Sequence, residues 1–368
     1  MGEPQNSSKQ TLTDLAKRLG RLPGDKRRVA LEMSASLAGV SLRASGEFAR
    51  AVPRAAKILA AEDLRQWAEM GRRLSMANLE AGVKFFADGV TGFKLIPEQS
   101  RTLVFQICTR QLVLSSSIAL ETFQEIPALA KEISDDDLFF EILKVAHEIA
   151  QRSAKHSADF LKSTPKVAES LKRFDDPAAA RSVTNLAHSF ASRTGGMTAD
   201  LWTILPDALQ KLNAAQTVKL TEKAKDFLEY GGSVTLHFAS AGGEVLRRVE
   251  AVFDDWRGVL ALIAKHGNAV LISFLRSSPK FFAQIVSLRD SAEVVQTVRS
   301  VLSLIGEIAE TDADAALAAF RSSAPALRKV SLVQFEDWIR AGIEKGAKRI
   351  PGAAAPFILI SDQTVPGK

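Results

Sequence analysis

Cysteine and tyrosine are almost missing from this chain of 368 residues, which has one of each, Cys108 and Tyr230. A single thiol excludes an intramolecular disulfide and a cluster of thiolate metal ligands, and it fits a reducing compartment. Long apolar runs are lacking too. The best candidate for a membrane span, Val259 to Leu275, contains Lys265, His266 and Asn268. Such groups are costly in lipid, so the segment is predicted to form a buried helical hairpin. Met1 to Ser8 carries no apolar signal region. Export by the general secretory route is therefore not expected, and a cytoplasmic location is.

Reactive motifs are equally scarce. No Gly-x-x-x-x-Gly-Lys-Ser/Thr phosphate loop occurs, and no Gly-x-Ser-x-Gly elbow. Gly231-Gly232 and Gly242-Gly243 do not fit Gly-x-Gly-x-x-Gly and read as chain breaks at helix ends. His147-Glu148 starts like a zinc-protease motif, but Gln151 stands where the second histidine ligand belongs, and His156 is over two turns away. The other imidazoles, His188, His237 and His266, are scattered. Asp135-Asp136-Asp137, Asp175-Asp176 and Asp254-Asp255 invite comparison with magnesium-dependent prenyl-type enzymes. Neighbouring aspartates point about 100° apart on a helix and cannot all serve one cavity. The first cluster stands before Leu138-Phe139-Phe140, where it reads as a helix N-cap. Cys108, between Ile107 and Thr109, reads as buried filler. No catalytic residue, metal or cofactor is expected.

What the chain has in quantity is helix-forming and apolar residues, the latter 46% of the total, with twenty phenylalanines used as filler. It also has a period. An aromatic or leucine marker, followed by proline or glycine, recurs as Phe48/Pro53, Phe86/Gly89, Phe123/Pro127, Phe160/Pro165, Leu201/Pro206, Phe238/Gly242, Phe274/Pro279 and Phe320/Pro325. Successive markers are 38, 37, 37, 41, 37, 36 and 46 residues apart. The two longer steps suggest insertions at Phe174–Pro177 and Glu307–Asp314. A second apolar position comes about nineteen residues after each marker: Trp67, Phe105, Ile142, Leu220, Trp256 and Trp338, less clearly near Leu186 and Val294. Often something small stands four residues beyond, as in Gly71, Thr109, Ala146, Ala224 and Gly342, so that adjacent helices can interlock. Phe160-Leu161-Lys162-Ser163-Thr164-Pro165-Lys166 nearly repeats as Phe274-Leu275-Arg276-Ser277-Ser278-Pro279-Lys280.

A unit of this length cannot bury its own apolar face and must stack on neighbours. The pattern predicts an all-α protein, an α-solenoid of about eight repeats of the HEAT/armadillo kind. Phe48, Trp67, Phe86, Phe123, Phe160, Phe238, Phe274, Phe320 and Trp338 are its expected core. Each proline is expected to end a helix, with a short helix Arg54–Leu59 after Pro53. Residues 1–9 read as disordered, 10–44 as a basic helical cap with helices near Leu12–Leu19 and Asp25–Leu37, 45–349 as the array, and 350–368 as an irregular tail. The apolar run Phe357-Ile358-Leu359-Ile360 in that tail is expected to dock on the last repeat.

The net charge of +6 is confined to residues 1–60, which hold eleven Lys/Arg against five Asp/Glu. Arg18, Arg21, Lys26, Arg27 and Arg28 form its densest part. They serve either as a solvated end cap or as a docking surface for an anionic partner.

The segments Phe48–Pro53, Leu64–Trp67–Gly71–Leu74 and Phe85–Phe86, with Phe160 to Pro165 and Phe320 to Gly342, resemble helical repeats of certain bacterial proteins. Those repeats precede von Willebrand factor A modules of the nitric-oxide-reductase-activation or CoxE-like type. The resemblance covers roughly residues 45 to 345. It implies an interaction region working with a MoxR-type AAA+ ATPase in cofactor insertion or complex maturation. The Asp-x-Ser-x-Ser metal site of a von Willebrand module is not in this sequence. The leading expectation is a non-enzymatic scaffold for a protein or peptide partner, an AAA+ ATPase or a von Willebrand factor A protein among them. Nucleic-acid binding through the basic hairpin ranks second, because residues 61–368 are neutral overall.

Overall fold

The computed structural model describes residues 17, 19–88, 90, 92–174, 176–288 and 291–346. Among them the regular structure is helical throughout. The helices are α1 (Gly24–Ala38), α2 (Leu42–Ile58), α3 (Ala61–Ala77), α4 (Leu79–Asp88), α5 (Glu98–Leu112), α6 (Ser116–Ile133), α7 (Asp136–Arg152) and α8 (Ala154–Lys172). They continue as α9 (Pro177–Thr194), α10 (Met197–Leu209), α11 (Ala214–Asp226), α12 (Gly232–Val249), α13 (Phe253–Ala264), α14 (Asn268–Leu288), α15 (Ser291–Ala309), α16 (Ala313–Leu327) and α17 (Leu332–Gly346). Single 3₁₀ turns stand at Gly92–Leu95, Phe227–Tyr230 and Glu250–Val252. Among the described residues no helix is long and apolar enough to cross a membrane, and Val259 to Leu275 is indeed a helical hairpin, the turn between α13 and α14.

The chain divides into two compact units, residues 1–172 with 194–203, and residues 173–193 with 204–368. In the first unit, α1, α3, α5 and α7 pack each on the next, as do α2, α4, α6 and α8, and each odd helix packs on the even helix after it. In the second unit the same rule joins α13, α15 and α17, and joins α12, α14 and α16. The sequence period maps onto this alternation. All eight markers lie on even helices and are at most 1% exposed. The second apolar position lies on odd helices.

Ring contacts tie the layers together. Phe48 lies 5.5 Å from Trp67, centroid to centroid, and 5.3 Å from Phe86. Phe85 is 4.6 Å from Phe123. In the second unit Phe238 is 5.4 Å from Trp256, and Phe274 is 4.1 Å from Phe320. Offset and edge contacts of this kind add about 0.5–1.5 kcal/mol each beyond area burial. Polar pairs also cross between successive odd helices. Arg65 meets Glu32 at 3.0 Å, 33 residues away, Lys219 meets Asp254 at 2.8 Å, 35 residues away, and Arg299 meets Asp255 at 3.0 Å, 44 residues away. Being exposed, such pairs contribute little energy, about 0–1 kcal/mol, but they mark register.

The prolines do not end helices. Pro53, Pro127, Pro165, Pro206, Pro279 and Pro325 all lie inside theirs, so Arg54 to Ile58 continues α2 and is no separate helix. An interior proline removes one ladder bond and costs about 3 kcal/mol in an isolated helix. Here tertiary packing holds the helix on both sides of it. Hydroxyls just before three of the prolines add bonds to carbonyls one turn back. Thr164 Oγ1 donates to the Phe160 carbonyl at 2.9 Å, Ser278 Oγ to that of Phe274 at 3.0 Å and Ser323 Oγ to that of Phe320 at 2.7 Å. Two of these hydroxyls also accept from buried indoles: Trp202 Nε1 reaches Thr164 Oγ1, and Trp256 Nε1 reaches Ser278 Oγ, both at 3.0 Å.

Four further expectations need correction. Gly242 and Gly243 are interior to α12, where they permit close approach and do not break the chain. A Cβ on Gly243 would lie 2.2 Å from the Ala208 carbonyl oxygen, and one on Gly242 would lie 2.7 Å from Leu220 Cδ1. The stretched seventh step is taken up largely in helix: α14 and α15 run 21 and 19 residues, and Glu307 to Ala309 is still helical. The boundary drawn at residue 44 falls inside α2. Trp338 is 39% exposed although its counterparts Trp67 and Trp256 are fully buried. Those two sit under the next even helix, and among the described residues no helix comes after α17. The expectations for residues 1–9, Leu12–Leu19, Gly89 and 350–368 concern segments largely or wholly outside the described residues.

Alanine at Gly243 should lower stability by about 1–3 kcal/mol, because the obstructing atom is backbone. Alanine at the exposed Gly258, with no heavy atom within 4 Å of an added Cβ, should raise it by up to about 1 kcal/mol through helix propensity. Urea unfolding midpoints decide, and equal shifts of the same sign would contradict the close approach at α12.

Candidate functional site

Of the basic residues singled out by the sequence, Lys26 and Arg27 are held by backbone carbonyls. Lys26 Nζ donates to the Ala56 carbonyl at 2.7 Å, near the C-terminal end of α2, where a cation also complements the helix dipole. Arg27 donates through Nε and Nη2 to the Leu22 carbonyl at 3.3 and 3.1 Å and so fastens the turn before α1. Arg28 stands 4.0 Å from Glu32, which also receives Arg65. Arg21 is exposed, and Arg18 lies outside the described residues. Two of the five are thus spent on local structure.

The acidic clusters are spent in a similar way. Asp135 is the N-cap of α7, its carboxylate accepting from the amides of Asp137 and Leu138 at 3.0 Å each. The hydrogen bond from Lys219 holds the Asp254 carboxyl below its usual range. Among the described residues no three His, Cys, Asp or Glu side chains stand together as a metal-binding set. Cys108 is fully buried, and burial raises its thiol pKa well above the ordinary range, leaving it protonated and unreactive.

A groove of about 700 Å³ runs across α3, α5 and α7 in the first unit. On α3 it is lined by Glu62, Arg65, Gln66, Glu69, Met70 and Arg73, spaced so that they share one helix face. On α5 it meets Phe105, Gln106, Thr109 and Arg110, with Val113 at the helix's C-cap, and on α7 His147 and Gln151. Met70 and Phe105 form an apolar floor, nearly closed to solvent, and Thr109 Oγ1 reaches Met70 Sδ across it at 3.8 Å. Val113 is 87% exposed at one end.

The rim is polar, and most of its charge is already matched. Glu69 accepts from Arg72 Nε at 2.7 Å and from Arg73 Nε at 2.8 Å, and the hydrogen bond from Arg72 chiefly draws its pKa down to about 2. Arg65 is held by Glu32. Arg110 has no side-chain hydrogen bond or ion pair to another described residue. Burial lowers the His147 pKa, and the Arg110 charge lowers it further, against an opposing pull from Glu148. The imidazole is therefore neutral at pH 7, offering one donor and one acceptor. Elsewhere between these helices, Asp63 of α3 is buried 3.6 Å from Arg101 of α5. Desolvation raises the Asp63 pKa despite that partner. Arg101 also donates to the carbonyls of Ile58 and Ile96, at 3.3 Å each.

This arrangement can grip a chain segment: donors and acceptors from three glutamines, one free guanidinium and an apolar floor. The sequence reading took Phe105 as core, Thr109 as a small packing residue and His147 as one of several scattered imidazoles. It did not single out Gln66, Gln106 or Arg110. The available signal was the return of glutamine on odd helices, Gln66 and Gln106 being forty residues apart. Neither a scan against protein-family models nor a search of curated proteins finds a match for this chain.

Glu69 also yields a pH prediction. Its folded-state pKa lies below its ordinary value of 4.5. The stability it contributes is therefore present above pH 4.5 and is lost as pH falls towards 2. In Glu69→Gln the acid limb of the stability profile between those values should be shallower than in the parent. Parallel limbs in the two proteins, measured by urea unfolding at each pH, would refute the assignment.

Proposed function

We propose that this protein is a non-enzymatic helical-repeat scaffold, an α-solenoid in architecture, that binds an extended segment of a protein partner along the α3–α5–α7 groove. The observation that carries the proposal is the groove's composition, an apolar floor beneath amide side chains, with Arg110 as the one unmatched rim cation among the described residues. Glutamine amides can pair with a peptide backbone, which repeats a donor and an acceptor in the same way. The charge favours a segment with a carboxylate opposite Arg110 and an apolar side chain beside it. The resemblance of the repeats to those preceding von Willebrand factor A modules supports a partner among MoxR-type AAA+ ATPases or von Willebrand factor A proteins, in assembly or maturation of a complex. The alternative, nucleic acid at the N-terminal hairpin, is weakened because Lys26 and Arg27 are engaged by backbone carbonyls.

Selection from a displayed library of random twelve-residue peptides tests this. The parent should enrich peptides with Asp or Glu next to an apolar residue. Arg110→Glu should bind them at least about tenfold more weakly, a difference of about 1.4 kcal/mol, and should gain affinity for versions carrying Lys in place of the acid. No enrichment, or equal binding by Arg110→Glu, overturns the reading.

A further inference from the structure

Two exposed guanidiniums on neighbouring even helices of the second unit carry charge that no carboxylate among the described residues answers. Arg276 of α14 donates through Nε and Nη2 to His237 Nε2 of α12, at 3.3 and 3.1 Å. Arg321 of α16 donates through Nε to Ser277 Oγ of α14 at 2.9 Å, the residue next to Arg276. The corresponding place in the first unit is different. Phe160-Leu161-Lys162 matches Phe274-Leu275-Arg276, and there Lys162 of α8 meets Glu121 of α6 at 3.5 Å. In the second unit the preceding even helix offers Arg276 a ring nitrogen where the first offers Lys162 a carboxylate. Burial lowers the His237 pKa and the Arg276 charge lowers it further, so the imidazole is neutral at pH 7 and cancels none of that charge. Other acids are scarce on these helices. None occurs in α14, and Glu244 of α12 is engaged by Arg247 and Arg248. Asp314 of α16 precedes Arg321 by seven residues, about 10 Å along a helix.

We propose that Arg276 and Arg321 form a docking surface for an acidic segment of a partner protein, independent of the groove in the first unit. Nη1 of Arg276 and both Nη nitrogens of Arg321 are left without an acceptor among the described residues. A guanidinium in that state can take a carboxylate without giving up an existing ion pair. Packed helices stand about 8–10 Å apart, and residues three apart in an extended chain span about 10 Å. Acids at every third residue therefore suit the pair. Every aromatic ring on α12, α14 and α16 is buried, so the bases of a nucleic acid would find no stacking platform there.

Fluorescence anisotropy of a labelled twelve-residue peptide, Glu-Gly-Ser repeated, titrated with the full chain tests the proposal. The parent should bind it, and a peptide with Gln for Glu should not bind. Arg276→Gln and Arg321→Gln, both at exposed positions, should each weaken binding about threefold and together about tenfold. His237→Glu restores the kind of pairing that Glu121 gives Lys162, and should weaken binding about threefold with both arginines present, whereas His237→Gln should not. Arg110→Gln should bind as the parent does, because this probe has no apolar side chain for the α3–α5–α7 groove. A parent that does not bind, or a double variant that binds equally well, overturns the proposal. So does His237→Glu with undiminished affinity, or tighter binding of a twelve-nucleotide polyuridylate than of the peptide.

Discussion

A pair of antiparallel helices has no interior deep enough to hide a phenylalanine from water. Its apolar side must be closed by another pair, and the buried rings of this protein are shared accordingly. Phe48 touches a ring on the next odd helix and another on the next even helix. The pattern returns in the second unit with Phe238 against Trp256 and Phe274 against Phe320. Full burial of such a side chain stabilises by about 1.5–3 kcal/mol relative to exposure. No hairpin collects that energy alone, so the rings are shared between neighbouring helices.

The same constraint explains how interior prolines are tolerated. A free helix would bend or break at Pro165 or Pro279, but here the marker five residues earlier is clamped in the core. Thr164 and Ser278 solve two problems at once: each bonds a carbonyl in the weakened turn and accepts the N–H of a buried indole. Trp67 has no such hydroxyl, and its Nε1 finds no acceptor among the described residues. Before Pro53 stands Val52, where the other two helices have Thr or Ser.

The part of the fold legible in the sequence is the part that burial dictates. Markers and stripes were visible because burial demands apolar side chains at a repeating position, and Leu64, Trp67, Gly71 and Leu74 are all buried as their spacing requires. The prolines misled because their cost is local, whereas the packing that outweighs it is tertiary and leaves no local trace. Gly243 misled because a glycine that ends a helix and one that admits a neighbouring carbonyl look the same in one dimension. Trp338 had the right spacing, but among the described residues no helix follows α17 to cover it as Trp67 and Trp256 are covered. The groove was hidden for a further reason: its lining comes from three helices, each contributing only a few polar residues to a shared face.

Stacking also decides which polar groups remain for a ligand. Glu32, Asp63, Asp254 and Asp255 are engaged by cations from neighbouring helices, and Lys26, Arg27 and Arg101 by carbonyls near helix ends and turns. A group so engaged must break its existing bonds before it can bind anything, and the loss offsets most of what a new contact contributes. Within the basic N-terminal cluster, Lys26 and Arg27 are therefore less available than their charge suggests. Arg110 is the opposite case: one cation on a groove wall shared with His147 and Phe105, with no partner among the described residues to give up. Free valence, more than net charge, marks the surface on which a partner gains most.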